Sequence, residues 1–503
     1  MSATGPRRGA RVGSEAEMPE SSPVGLVDVM AAAPGAELRG DTSAFVAEAA
    51  YDSRDVPPAS LFFCVPGRRV DGHGFADEAL AAGATALVVE RWLDVDAPQI
   101  RVASVREAMG VMSSVVFGRP ASDLRIVGVT GTGGKTTTTY LLESVFRAAG
   151  MRPGVIGTIG GRIDGEHVEL QRTTPEAPDL HRLLARMRRA GVVAVAMEVS
   201  SHGLDQHRFG GARCEVALFT NLSRDHLDYH GSMEAYFSAK ARLFTPAGTV
   251  TGVVNADDVW GRRLVGEASV PITTFGIDSE ADLRGTDVDL TSDGATFHVD
   301  GMNVRCALRG RFNVENCLGT MAAARELGLD GETTRRGIAA VQRVPGRMEA
   351  VDAGQDFLVM VDYAHTPDSI RGVLRGARPL TAGRLIVVFG CGGDRDRDKR
   401  SLMGEAATSH ADLSIVTSDN PRSEDPLAII EAILPGAEAG GGEYVVEPDR
   451  RAAIRLAVSA AQAGDLVVVA GRGHEAEQEL ANRSVPFDDR AVVREELLAL
   501  GES

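Results

Sequence analysis

At 503 residues the chain is long enough for about three domains of ordinary size, and 44% hydrophobic with 24% charged residues lets each bury a core; one small module and wholesale disorder are excluded. Lys plus Arg number 53 against 70 Asp plus Glu, a net charge of −17, which argues against a protein that coats nucleic acid. No apolar run approaches the ~18 residues that span a bilayer, and MSATGPRRGARVGSEAEMPESS lacks the apolar stretch of a secretory leader, so a cytosolic protein with neither nucleic-acid nor membrane partners is expected.

Residues 1–23 carry Gly, Ser, Pro, Glu and Arg without periodicity and read as a disordered tail, with Met1 and Met18 as alternative translation starts. Residues 24–122 alternate short β-like runs (Leu61 to Val65, Ala86 to Val89) with Ala-rich helical stretches, a small α/β module. From 123 the apolar run LRIVGV leads into a Gly/Thr turn and then TTTTYLLESVFRAAG, whose apolar spacing is helical and which ends at Gly150. Buried strands are predicted in VVAVAMEVS (192–200), EVALFTNL (215–222) and TGVVNADD (251–258), so the sheet should be largely parallel. Residues 268–309 read as β-hairpin material, and helices follow in VENCLGTMAAARELG and TTRRGIAAV. The connector VPGRMEAV places a boundary near 345, giving a central domain over 123–345 and a C-terminal, Rossmann-like α/β domain over 346–503. In the latter, FLVMVDYA, RLIVVFGC, LSIVTSD and DLVVVAG each run into a polar cluster: DYAHTPDS, GCGGDRDRDKR, SDNPRSEDP and GRGHE. Ligands bind at the carboxyl ends of parallel strands, so these four loops should share one rim.

GVTGTGGKTTT (128–138) combines a Gly-rich turn, a helix N-terminus and Lys135, a cradle for phosphate oxygens, with Thr136 placed for Mg²⁺. The strict GxxxxGK[ST] spacing would need Gly at 129, where Val stands. Glu198 is a carboxylate near the end of a buried strand, and TNLSRDHLDYH presents Asp225, His226, Asp228 and His230 at the same rim, oxygen-bearing and imidazole groups of which at least one should face a metal. The five cysteines (Cys64, Cys214, Cys306, Cys317, Cys391) lie far apart and read as reduced core thiols. Of the 53 basic residues only Lys135, Lys240 and Lys399 are lysine. Lys240 falls at apolar-face spacing between Tyr236 and Phe244; burial would keep its amine neutral and able to take up CO₂ as a carbamate, which Arg cannot do.

Together these motifs resemble the Mur ligase family of ATP-dependent amide-forming enzymes, over about residues 24 to 500. The GTxGKT loop of the family corresponds to Gly131, Thr132, Gly133, Gly134, Lys135 and Thr136, with Gly133 where Asn is frequent, and Thr137 follows it as a further ATP contact. The resemblance implies a three-domain α/β fold with a P-loop NTPase-like centre, Mg²⁺ on Thr136, Glu198 and His226, and a carbamylated Lys240 as a further ligand. It implies ATP contacts at Asn313, Arg347 and Asp362, with Asn255 a weaker candidate, so that ATP lies between the central and C-terminal domains. Ser53, Arg68, Arg69 and Val70 would dock a uridine nucleotide, and Thr173, Thr174, Ser200, Gln206 and Arg208 its sugar-dipeptide portion. Asp419, Asn420, Pro421 and Arg422 form the DNPR arrangement of members that add meso-diaminopimelate, with Arg395, Gly471 and Glu475 completing the amino-acid pocket. Diaminopimelate is lysine with a second carboxylate, which Arg422 can pair bidentately. The implied partners are ATP, the UDP-N-acetylmuramoyl dipeptide and meso-diaminopimelate, acting on a monomer; His202 or His365 could accept the amine's proton. The competing readings are a lysine-adding ligase, a folylpolyglutamate synthetase and a non-catalytic ATP-binding regulator.

Overall fold

The computed structural model describes residues 22–67 and 70–501; the predicted tail up to residue 21 and the candidates Arg68 and Arg69 lie outside the described residues. The chain forms two compact units, one running through Asp123 and adding Glu176–Gly191 and Gln206–Ala212, the other comprising Leu124–Pro175, Val192–Asp205 and the chain from Arg213 onward.

In the first unit five strands are ordered Glu37–Arg39, Gln99–Arg101, Ala84–Val89, Ser60–Phe63, Glu48–Ala50, all but the first pair parallel. Both faces of the central strands are apolar and buried, as a parallel sheet covered on two sides requires. Helix Val105–Val116 starts with the Ser104 side chain accepting from the Glu107 N–H and turns Val105, Met109, Met112 and Val116 inward. Helix Ala177–Arg189, whose sequence position falls in the 123–345 segment, belongs to this unit and contributes Ala177 and Ala185 to its core.

The second unit is built on two sheets. Nine strands run Glu166–Val168, Gly160–Ile163, Pro153–Gly157, Ala194–Glu198, Arg125–Thr130, Cys214–Phe219, Thr249–Asn255, Ile272–Gly276, Leu283–Arg284, parallel from Pro153–Gly157 onward in that order. Ile272–Gly276 and Leu283–Arg284 correct the hairpin expectation for 268–309: they extend the parallel sheet, and only Thr286–Thr291, Gly294–Val299 and Met302–Cys306 form an antiparallel meander. Alternating polarity reports a half-buried strand without saying which neighbour it pairs with. Helix Lys135–Ala148 includes Thr136, Thr137, Thr138 and Thr139, poor helix formers, yet all four are buried; packing of Leu141, Leu142, Val145 and Phe146 in the core overrides their propensity.

The second sheet runs Glu349–Ala350, Leu358–Asp362, Leu466–Ala470, Leu385–Phe389, Leu413–Val416, Glu443–Val446, parallel after the first strand. Asp362 pairs with Ala470 and Phe389 with Val416, so the four predicted polar loops leave the sheet at one rim. Beneath it Arg450 and Asp489, both fully buried, pair at 2.7 Å, an arrangement whose desolvation is offset only because the guanidinium also reaches the Ala470 and Ser418 carbonyls.

Candidate functional site

The phosphate loop needs glycine where the backbone crowds its neighbours. A Cβ on Gly131, at φ +145°, would lie 1.9 Å from Thr220 Oγ1; one on Gly134, at φ +84°, would lie 2.4 Å from Asn316 Oδ1. Gly133 offers its N–H to Asn221 Oδ1 at 2.9 Å. Lys135 opens the helix that follows and folds its Nζ back onto the Gly131 and Thr132 carbonyls, both at 2.9 Å; burial lowers its pKa.

The loop forms one wall of a cavity of about 470 Å³ within the second unit. Glu198 stands at its edge, with Oε1 accepting from Thr136 Oγ1 (2.9 Å) and the Thr158 N–H (3.0 Å) and Oε2 from Thr158 Oγ1 (2.9 Å). From the second predicted cluster, Asp225 and His226 line the cavity; Asp228 is exposed and His230 turns to Ser201 Oγ at 3.0 Å. Burial pushes His226 down to about 3, so its ring is neutral and able to act as a ligand at ordinary pH. Lys240 is buried, donates to the Gly131 carbonyl at 2.8 Å and lies 4.7 Å from the Tyr236 ring centre. Burial, reinforced by the charge of Lys135, holds its amine well below the usual lysine range.

The donors around Thr136 and Glu198 are a hydroxyl and a carboxylate, which suits a hard cation that keeps most of its water and takes few protein oxygens. Among the described residues no group of three or more His, Cys, Asp or Glu is arranged to hold a metal ion. Opposite the loop, Arg347 donates to Thr136 Oγ1 at 3.1 Å and lies 4.5 Å from the Tyr363 ring centre, while its Nε is buried without a partner. Asp362 is buried and accepts the Met348 and Ala364 N–H groups at 2.8 Å each; burial raises its pKa against the pull of Arg347. His365 lines the same cavity, with Nδ1 2.7 Å from the Tyr363 carbonyl, whereas His202 packs against the rings of His226, Tyr229 and His230.

The helix Arg311–Glu326 departs from the expectation. Phe312, Glu315 and Asn316 line the cavity, whereas Asn313 sits behind them, taking Asn316 Nδ2 on its Oδ1 at 2.9 Å and donating to the Arg309 carbonyl at 2.7 Å. Asn255 likewise stands behind the lining, bonded to the Thr220 carbonyl at 2.9 Å. Sequence reasoning misses Thr158, which lies in a loop without a signal, and passes over Asn221 and Tyr363, which stand inside the TNLSRDHLDYH and DYAHTPDS clusters beside the charged residues picked out there. Asn316 had a signal, being one helical turn from Asn313; Glu315, two residues from Asn313 and so on another face of the helix, had none.

At the second sheet's rim the amino-acid candidates gather. Asn420 Nδ2 donates to Glu475 Oε2 at 2.7 Å and the Tyr363 hydroxyl to Glu475 Oε1 at 3.3 Å; burial, then the charge of Asp419, raises the pKa of Glu475. Asp419 is buried with Oδ2 unpartnered, and a Cβ on Gly471, at φ +117°, would lie 2.4 Å from that oxygen. Pro421 turns the chain into Arg422, whose Nε meets Glu479 Oε2 at 2.6 Å; Arg395 is exposed beside Gly392.

The sugar-dipeptide candidates fall in both units. In the second, Thr174 Oγ1 donates to the Glu198 carbonyl and lies 3.0 Å from Ser200 Oγ, and Thr173 Oγ1 is 3.1 Å from Thr158 Oγ1. In the first, Arg208 bonds Gln206 at 2.7 Å and Glu176 at 3.0 Å, Ser53 sits in a turn, and Val70 is exposed.

A phosphate loop on a parallel sheet, an edge of carboxylate and hydroxyl oxygens, and a second parallel sheet whose loops close the cavity define a nucleotide-dependent α/β enzyme of the P-loop type. The chain belongs to the Mur ligase family: it matches the family's catalytic domain over residues 46–117, the Mur ligase middle domain over 129–324 and the glutamate ligase domain over 346–473. It is 46% identical to the UDP-N-acetylmuramoyl-L-alanyl-D-glutamate--2,6-diaminopimelate ligase of Streptomyces avermitilis, over 93% of this chain and 96% of that one. It is also 46% identical to the ligase of the same name from Geobacillus thermodenitrificans, over 88% and 93%. A solved structure of a ligase of that name aligns with a TM-score of 0.69 at 35% identity, covering 96% of this chain and all of that one. MurF ligase from Thermotoga maritima in complex with ADP shares the fold at a TM-score of 0.61, covering 90% of this chain and 97% of that one, at 18% identity.

Proposed function

We propose that the chain joins meso-diaminopimelate to UDP-N-acetylmuramoyl-L-alanyl-D-glutamate at the expense of ATP, a cytoplasmic step of peptidoglycan synthesis, and that it does so as a monomer of three functional domains divided near residues 123 and 345. The observation that carries the substrate is the Asp419–Arg422 loop at the rim: its Asn420 donates to Glu475 Oε2 at 2.7 Å, Arg422 follows two residues on, and the neighbouring loop brings Tyr363 onto Glu475 Oε1 at 3.3 Å. A cationic group for a carboxylate and an anionic group for an ammonium suit the distal amino-acid end of diaminopimelate.

The γ-carboxylate of the D-glutamyl residue attacks the γ-phosphorus in line, the bond to the β-bridging oxygen breaks, and ADP leaves. The loop N–H groups and Lys135 hold the phosphates; Arg347 adds a second cation on the opposite wall. Mg²⁺, when bound by Thr136, Glu198 and His226, supplies charge neutralisation on the polyphosphate. Lys240, buried with its amine held well below the usual lysine range, is the side chain able to carry a carbamate in that cavity. The neutral amine of diaminopimelate then attacks the acyl carbon, its C–O bond to phosphate breaks, and phosphate departs; His365, neutral because buried, stands in the cavity as an acceptor for the proton released.

Phosphate release in the presence of ATP and the UDP-muramoyl dipeptide tests the reading: meso-diaminopimelate should support turnover and lysine should not, and Arg422→Ala should cost about a hundredfold in kcat/KM for meso-diaminopimelate. Equal use of both amino acids by the unaltered chain would assign it to the lysine-adding class.

A further inference from the structure

The hairpin of Glu477–Leu480 and Arg483–Pro486 is fastened to the Asp419–Arg422 loop. Arg422 N–H donates to the Glu479 carbonyl at 3.1 Å, Glu479 N–H to Asn420 Oδ1 at 3.0 Å, and Gln478 Nε2 to the Asp419 carbonyl at 2.5 Å. Arg422 itself holds φ +51°, a left-handed conformation that a residue with a Cβ rarely adopts, so the surrounding bonds must impose it.

Its side chain is gripped on two sides. Nε meets Glu479 Oε2 at 2.6 Å, and Nη1 donates to the Gly393 carbonyl at 2.9 Å. A guanidinium offers two bidentate edges, Nε with Nη2 and Nη1 with Nη2. Glu479 stands against the first at Nε; among the described residues Nη2 forms no hydrogen bond, and Nη1 keeps a second hydrogen for the terminal edge. The Arg422 side chain is 22% exposed and that of Glu479 51%, so the acid lies on the solvent side of the base. The nearby Asp394 is engaged by Ser423 instead, at 2.7 and 3.2 Å.

Resting on the assignment of Arg422 above, we infer that Glu479 is a positioning residue for amino-acid recognition: by holding Nε of Arg422 it presents the terminal Nη1–Nη2 edge to the distal carboxylate of the substrate. It touches no substrate itself. A freed arginine would spread over several rotamers, and ordering it would then be charged to each binding event. Because the amide oxygen of glutamine can still sit against Nε, geometry rather than charge should decide the effect.

The test is steady-state phosphate release by the full chain at saturating ATP and UDP-muramoyl dipeptide, with meso-diaminopimelate varied. Glu479→Ala should raise KM for meso-diaminopimelate about tenfold, the cost of ordering one freed arginine side chain at each binding event, with kcat and the KM for ATP within about twofold. Glu479→Gln should restore KM to within about threefold of the unaltered chain. An unmoved KM in Glu479→Ala, a KM below the starting value (Glu479 as a competitor for Arg422), or a fall in kcat with a matching rise in KM for ATP (a merely structural hairpin contact) would each overturn the inference. No turnover of meso-diaminopimelate by the unaltered chain would sink the substrate reading and this inference with it; turnover with an unmoved Glu479→Ala sinks the inference alone.

Discussion

Lys240 concentrates the residue-scale question. Only three of the 53 basic residues are lysine, yet one of them stands at a buried position with its Nζ 2.8 Å from the Gly131 carbonyl. A buried amine with no carboxylate bonded to it is depressed in pKa, which leaves the free electron pair that CO₂ needs. Lys240→Ala should therefore lower kcat by about a hundredfold or more, with partial recovery on adding short carboxylates such as acetate, and intact mass of the unaltered chain should show a labile CO₂ adduct. Full activity of the unrescued alanine variant would remove the role. That Lys240 is buried was readable from its spacing to Tyr236 and Phe244. That it reaches back to the phosphate loop, 109 residues earlier in sequence, was not.

At the scale of elements, helix Ala177–Arg189 carries His181, fully buried, with Nε2 donating to the Gly210 carbonyl at 2.9 Å and Nδ1 without a partner. Protonating Nδ1 would bury a charge with no acceptor, and burial pushes its pKa down to about 4 despite the carbonyl's opposing pull. The folded-state value lies below that of the unfolded chain, so the stability this helix contributes is present above about pH 6.5 and is lost as pH falls towards 4. Melting temperatures should drop steeply over that window, and His181→Gln, which keeps a donor for Gly210 and cannot protonate, should flatten the drop; an unchanged slope would exclude His181 as its origin. The elements themselves were largely legible. LRIVGV, AVAMEVS and the four C-terminal strands are apolar runs that only a sheet covered on both faces can bury. The pairing of Ile272–Gly276 was not legible, because a half-buried edge strand reads alike in a hairpin or at the end of a parallel sheet.

For the whole molecule, the cavity is walled by the phosphate loop on one sheet and by Arg347, Asp362, Tyr363 and His365 on the way to the other. If nucleotide holds these walls together, ATP with Mg²⁺ should raise the melting temperature in proportion to the logarithm of ligand concentration, and chelating the metal should abolish phosphate release and most of that shift. Arg347→Ala should weaken the shift while leaving the metal-free melting temperature within a few degrees, because its guanidinium meets Thr136 at the cavity rather than in the core. A shift unaltered in Arg347→Ala would place the nucleotide elsewhere.

The local motifs, the phosphate loop, the carboxylate in a buried strand, the DNPR turn and the GRGHE turn, were determined by the sequence alone. Each is a few adjacent residues whose chemistry depends on their order, and the alternation of apolar runs placed them at strand ends. Which residues stand beside one another across the cavity was decided only in three dimensions. Asn316 rather than Asn313 faces the cavity, Thr158 brackets Glu198, and Glu479 holds Arg422. Those neighbours come from strands and helices far apart in the chain, joined by a sheet order and helix rotations set by the packing of the core as a whole.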